Sequence, residues 1–234
     1  MKIAMWSGPR NLSTAMMYAF AARGDCAVWD EPFYAPWLKT TGAAHPLAAE
    51  IVATHEADPA RVAEALAAAR TGNEPHHYAK HMPHHMAPCF PLDWAETCVH
   101  AHLIRHPARV LASYAAKRDA VTFEEIGYAQ QAEYHARFPG PVIDSTDIRH
   151  DPRAMLQRFC AEIGLPFTEA MLAWPAGPKP FDGIWARHWY AAVHRSTGFA
   201  ETEGPLPPVA PEHATLYARA LPIYEALAAQ AIRP

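Results

Sequence analysis

Residues 2–20, KIAMWSGPRNLSTAMMYAF, carry the reading on which the fold turns. An apolar-leaning run over 2–6 ends in Gly8 and Pro9, passes through Arg10 and Asn11, and meets Ser13 and Thr14 at the head of an Ala/Met-rich segment. That pattern is a strand feeding a tight loop that opens a helix over 12–22. The first amide groups of a helix have no intrahelical acceptor, and the helix dipole adds partial positive charge there, so such a loop is an anion site in waiting. Arg10 adds a permanently charged planar fork, and Ser13 and Thr14 add hydroxyl donors. A capped helix start with an exposed arginine would leave the same local trace, so the rest of the chain has to decide.

Working outward, strand-like runs recur at 25–29, 77–81, 98–104 and 141–144. Helical patterns fall between and after them, at 58–70, 107–117, 122–137 and 151–163, with a final helix near 211–231. Asp58-Pro59 and Asp151-Pro152 are cap-plus-proline starts, and Met155, Leu156, Phe159, Cys160 and Ile163 recur at helical spacing before Gly164 and Pro166 end the segment. Strands alternating with helices predict an α/β fold, a three-layer α/β/α sandwich around a mostly parallel sheet. Ligands in such sheets bind where strand ends enter loops, and the polar residues after 6, 29, 81 and 104 lie there. Residues 1–234 read as a single domain; within it, the Pro/Gly/Trp-rich stretch 174–210 has the character of a packed lid.

Composition narrows the field. Half of the 234 residues are hydrophobic, enough for a sizeable core, and a formal net charge of −4 carries no basic field of the kind nucleic acid or membrane surfaces attract. The four cysteines, Cys26, Cys89, Cys98 and Cys160, form no CxxC pair and read as buried free thiols of a reducing compartment. No apolar run approaches the roughly 18 residues of a membrane span, and the chain enters a strand-like run at once without an apolar leader, so a cytoplasmic protein is expected. No feature of the sequence specifies an oligomeric state.

The nucleotide P-loop GxxxxGK(S/T) is absent, because no lysine precedes Ser13; this argues against a kinase or hydrolase holding a magnesium-bound triphosphate. The hexad Pro9-Arg10-Asn11-Leu12-Ser13-Thr14 instead resembles the shortened loop P-(K/R)-S-G-(S/T)-T of the sulfotransferases, with Asn11-Leu12 in place of Ser-Gly. A second stretch, LIRHPARVLASYAA, places Arg105, Pro107 and Ser113 at the spacing of that family's 3′-phosphate motif. A third, residues 142–167, resembles its strand-acid-helix segment. The resemblance, strongest over residues 2 to about 170, implies a P-loop nucleotide-hydrolase-like fold and a transferase using 3′-phosphoadenosine 5′-phosphosulfate (PAPS), releasing adenosine 3′,5′-bisphosphate and needing no metal. It implies that Pro9–Thr14 hold the 5′-phosphosulfate, with Arg10 at the bridging oxygen, and that Arg105 and Ser113 hold the 3′-phosphate. It also makes Arg195, in HRSTGF, the cation of a closing C-terminal loop.

Sulfuryl transfer to a hydroxyl or amine needs a base within reach of the acceptor. Glu31, after the second strand, matches the carboxylate base of the tyrosylprotein and carbohydrate sulfotransferases. His81, in AKHMPHHMAP, matches the histidine of the cytosolic small-molecule enzymes, with Lys80 one position off their lysine. Neighbouring strand residues face opposite ways, so Lys80 and His81 do not both face one site. Asp30 reads as structural. The group His76, His77, His81, His84 and His85 lacks a carboxylate or cysteine at matching spacing, so no metal site is expected. Trp29, Phe33, Tyr34, Trp37, Trp185, Trp189 and Tyr190 suggest an apolar or aromatic small-molecule acceptor. A nucleotide kinase or hydrolase, and a non-catalytic nucleotide-binding relative, stay as alternatives.

Overall fold

A computed structural model describes residues 1–69, 74–116 and 121–234 of the chain. Five strands, β1 (Lys2–Ser7), β2 (Cys26–Asp30), β3 (His76–His81), β4 (Val99–Ile104) and β5 (Val142–Asp144), form one sheet in the order β2-β3-β1-β4-β5. All four pairings are parallel. β1 takes the centre because it is apolar on both faces: Ile3, Ala4, Met5 and Trp6 are all buried.

The pleat divides these residues between two cores. Ile3, Met5, Tyr78 and Leu103 face α1 (Ser13–Ala22) and α9 (Pro152–Glu162), packing with Met16, Phe20, Met155 and Phe159. Ala4, Trp6 and Ala79 face the other way, toward α4 (Pro59–Ala68) and α7 (Tyr128–Arg137), with Val62, Leu66, Trp94 and Tyr134. The result is the three-layer α/β/α sandwich that the alternating pattern predicts.

Helix starts follow local chemistry. Asp58, Asp151 and Asp144 accept from Ala60, Ala154 and Thr146 at 2.9, 2.9 and 2.8 Å, capping α4, α9 and α8 (Ser145–His150). The remaining helices are α2 (Tyr34–Thr41), α3 (Ala48–Thr54), α5 (Pro107–Ala115), α6 (Phe123–Ile126), α10 (Ala186–Trp189), α11 (Ala191–His194) and α12 (Ala214–Ala228).

Three differences from the sequence reading have simple causes. The segment 122–137 is two helices, because Gly127 turns into the left-handed region at φ 74° between α6 and α7. Residues 34–54 fold as α2 and α3, whose apolar periodicity is broken by Pro36 and by Leu47 at φ 63°. Cys89 is exposed, lying in the loop after β3, whereas Cys26 and Cys160 are buried. The final residues of the expected helices 58–70 and 107–117 lie outside the described residues.

Buried imidazoles are a conspicuous feature. Burial holds His84 and His102 down at about 3 and His77 at about 4, and pushes His81 and His85 well below the ordinary range. Each binds a proton more readily unfolded than folded. Its contribution to stability is therefore complete above the unfolded value of 6.5 and is lost as the pH falls. The loss is about 1.4 kcal/mol per group for each pH unit below that value. The melting temperature, followed by circular dichroism, is expected to be level above neutrality and to fall steeply between pH 6.5 and about 4. A level midpoint over that interval would contradict neutral burial of these histidines.

Candidate active site

The carboxyl ends of β1, β2, β3 and β4 open into a cavity of about 400 Å³. Pro9 to Thr14, Glu31, Lys80, Arg105 and Ser113 all line it. The structure thus brings together the loop, the carboxylate and the later Arg/Ser pair, which lie more than a hundred residues apart at their extremes.

The loop is tightly made. Gly8 sits close to its surroundings: a Cβ there would stand 3.0 Å from the Ile126 carbonyl oxygen, so a side chain would fit only if that neighbour gave way by a few tenths of an ångström. Arg10 and Leu12 adopt φ of 63° and 77°. Leu12 thus takes up, with a side chain, a conformation that glycine adopts freely, at a cost of about 1–2 kcal/mol. Asn11 is buried and its amide donates to the Leu103 carbonyl at 3.2 Å, tying the loop to β4. No side chain caps α1 and no acidic residue stands in its first turn, so those amides face the cavity end without a competing acceptor of that kind.

The Arg10 Nε donates to the Ser113 hydroxyl at 2.9 Å, and the Arg105 guanidinium donates to the Arg10 carbonyl at 2.7 Å. The two halves of the site therefore hold each other. Burial, and then the neighbouring Arg105 charge, lower the Arg10 pKa from its ordinary value. An added anion would relieve both effects.

Opposite the loop lies a buried ionic cluster. Lys80, fully buried, places its ammonium 2.7 Å from Asp30 Oδ1 and 2.9 Å from Glu31 Oε1, and donates to Thr14 Oγ1 at 3.3 Å. The parallel register sets Asp30 directly beside Lys80. Tyr190 closes the cluster: its hydroxyl accepts from Lys80 and from Trp185 Nε1 and donates to the Asp30 carboxylate at 2.8 Å. Burial pushes the Glu31 carboxyl up, with Asp30 adding to the rise and Lys80 opposing it. Burial alone would neutralise Lys80, yet Asp30 and Glu31 together hold it above the ordinary lysine range. Glu31 itself sits at φ 44° and accepts from the Tyr34 amide at 3.0 Å through its carbonyl. His85 Nδ1 lies 3.7 Å from the second carboxylate oxygen of Glu31.

Two expected site residues lie elsewhere. His81 packs on the far side of the sheet, its ring 4.7 Å from Trp6 and 4.8 Å from Trp94, because it shares strand parity with Ala79 and not with Lys80. Arg195 follows α11, is exposed and does not line the cavity. Conversely, Lys80 and Arg149 line it without having been singled out for it, while Tyr34, Trp189 and Tyr190 from the expected aromatic group do line it. The β3 parity was a usable signal for Lys80; Arg149 lies in a segment whose pattern speaks of packing. Among the described residues, no group of three His, Cys, Asp or Glu side chains is arranged to hold a metal ion, and no helix is long and apolar enough to cross a membrane.

The sulfotransferase domain family model matches residues 1–231. The chain belongs to the sulfotransferase family. Solved structures with the same fold include the sulfotransferase domain of the Synechococcus PCC 7002 olefin synthase, at 18% identity and a TM-score of 0.53 over 94% of both chains. Another is the sulfotransferase domain from the curacin biosynthetic pathway, at 14% identity and a TM-score of 0.58 over 99% of this chain and 98% of that one. The chain is also 35% and 36% identical, over 96% of its length, to branched-chain-amino-acid aminotransferase-like proteins 2 and 1 of Arabidopsis thaliana. It spans 41% of the length of those relatives.

In this sulfotransferase domain the ionic cluster makes a specific stability prediction. Lys80→Met would leave Asp30 and Glu31 buried side by side without their cation. Urea unfolding at neutral pH is expected to show a loss of about 3–5 kcal/mol. The deficit relative to the unmutated chain should narrow as falling pH protonates the two carboxyls. An unchanged midpoint would show that the cluster is not what secures this edge of the sheet.

Proposed function

We propose that the chain moves a sulfuryl group from PAPS to a hydroxyl or amine of a small-molecule acceptor, with Glu31 as general base. The observation that carries this reading is the cavity's charge arrangement. Arg10, Lys80, Arg105 and Arg149 line it together with the Glu31 carboxylate, beside the uncapped start of a helix. Guanidinium forks, hydroxyls and free amides are the donor set that a doubly phosphorylated nucleotide requires.

PAPS, when bound, supplies a sulfuryl group already joined to a phosphate leaving group. Everything else falls to the chain. Pro9 to Thr14 would hold the phosphosulfate end, with Arg10, Ser13 and Thr14 offering charge and hydroxyls where negative charge grows on the leaving oxygen. Arg105 and Ser113 would hold the 3′-phosphate. Glu31 would take the proton from the acceptor: its raised pKa makes it a better base than an ordinary carboxylate, while Lys80 and its fixed backbone keep it aimed.

The acceptor end of the cavity is lined by Tyr34, Met82, His84, His85 and Trp189, with the imidazoles of His84 and His85 held neutral by burial. A neutral, flat, partly apolar acceptor suits that wall. The kinase or hydrolase alternative is disfavoured by the same geometry. The lysine at the site comes from β3, not from the loop, and is committed to Asp30 and Glu31.

Calorimetric titration without added metal is expected to show micromolar binding of adenosine 3′,5′-bisphosphate. Arg105→Ala should weaken that ligand selectively, by about 10- to 100-fold, the loss typical of a removed charge-assisted contact. An equal loss for adenosine 5′-phosphate would move Arg105 off the 3′-phosphate, and stabilisation by ATP with magnesium alone would replace PAPS as donor. Glu31→Gln should abolish turnover, measured by bisphosphate release, while bisphosphate affinity stays within a few-fold. Full activity in that variant would remove Glu31 from the role of base.

A further inference from the structure

One ionic cluster at the edge of the cavity shares Arg105 with the mechanism above but centres on a carboxylate that the mechanism does not use. Arg105 leaves the end of β4, Arg109 lies one turn along α5, and Arg149 is on α8. All three converge on the carboxylate of Glu203. Its Oε1 accepts from Arg105 and, at 3.0 Å, from Arg149; its Oε2 lies 3.1 Å from Arg109 Nε. The Glu203 side chain is only 5% exposed.

The backbone around it is fastened in the same way. Arg149 Nε donates to the Glu201 carbonyl at 3.0 Å, Arg109 donates to the Gly204 carbonyl, and the Thr202 hydroxyl donates to the Arg149 carbonyl at 3.4 Å. Apolar contact adds little: Glu201, Thr202 and Gly204 are exposed, and Leu206 is 50% exposed. Residues 200–204 are therefore a strap held to the domain by arginines. The strap begins at the cavity wall, since Gly198 and Ala200 line the cavity along with Arg105 and Arg149.

Both terminal nitrogens of Arg105 are committed, one to the Arg10 carbonyl and the other to Glu203. The first bond shapes the phosphosulfate loop. The Arg105 Nε is buried without a partner, so a phosphate that takes the Nε–Nη2 edge of the guanidinium competes with Glu203 for Nη2. A phosphate monoester carries about −1.5 to −2 charges and three acceptor oxygens, against one charge and two oxygens for a carboxylate. On the same arginines, the phosphate is the stronger partner.

We propose that Glu203 is a built-in competitor for the donor's 3′-phosphate, latching residues 200–204 across Arg105, Arg109 and Arg149 until that phosphate displaces it. This rests on the placement of the 3′-phosphate at Arg105 proposed above. A nucleotide without a 3′-phosphate cannot release the latch. The latch therefore lowers the apparent affinity of a nucleotide that carries the 3′-phosphate, because that group must displace Glu203, and leaves a nucleotide without it unaffected.

The test compares the unmutated chain with E203Q, titrated calorimetrically with adenosine 3′,5′-bisphosphate and with adenosine 5′-phosphate. Removal of the competing charge is expected to tighten the bisphosphate by about tenfold, the effect of freeing a site that is latched nine-tenths of the time, and to leave the monophosphate unchanged. Unchanged or weaker bisphosphate binding by E203Q, with the unmutated chain binding well, overturns the latch and leaves the donor reading intact. Failure of both proteins to bind the bisphosphate overturns the donor reading, and the latch with it. Binding by E203Q alone supports both. Hydrogen exchange of the unmutated chain guards against a folding defect in the variant. Saturating bisphosphate should speed exchange at residues 201–204 while slowing it at 10–14, whereas slowing at both would mean that carboxylate and phosphate share the arginines, against the proposal.

Discussion

A lysine ammonium with no solvent exposure is costly unless carboxylates answer it. Lys80 meets that condition with Asp30 from β2 and Glu31 from the turn after it. This pairing is the interaction on which the site depends. The cluster fixes the β2–β3 edge, binds Thr14 at the start of α1, and recruits Tyr190 and Trp185 from the late, proline-rich segment. Removing it would disorganise Glu31, the start of α1 and the cover of the cavity together, because all three are tied to one nitrogen.

The second organising constraint is the shape of the loop 7–14. Three non-glycine residues at the cavity, Arg10, Leu12 and Glu31, have positive φ, and sparsely populated backbone angles persist only where the surroundings enforce them. Here the enforcement is visible: the Arg105 guanidinium on the Arg10 carbonyl, the Asn11 amide on β4, and the Lys80 carbonyl receiving the Glu31 amide at 3.0 Å. The strain at the loop is thus offset by long-range hydrogen bonds, and the same bonds link the two ends of the cavity.

Much of this was legible in the sequence because it is written in local patterns. The helix starts at Asp58 and Asp151 need only their own residues, and the strand-loop-helix at 2–22 needs only periodicity and a Gly-Pro turn. The motif spacing that set Arg105 and Ser113 beside the first loop also survived intact, since a strand end and two helical turns have fixed geometry. What escaped were elements defined by distant partners. α2 and α3 are short helices whose buried residues pack on Trp185 and Tyr190, 140 or so residues later.

The sequence by itself therefore determined the α/β class, the strand that feeds the loop 7–14, and the family to which the chain belongs. The tertiary structure alone decided which neighbouring residue faced the site. Lys80 and His81 are adjacent in the chain, and only the register of β3 between β2 and β1 turned the lysine toward Asp30 and the histidine into the aromatic layer around Trp6. It also decided that three arginines from three elements share the Glu203 carboxylate. Charge pairs of that kind form across space, where one-dimensional spacing carries no signal.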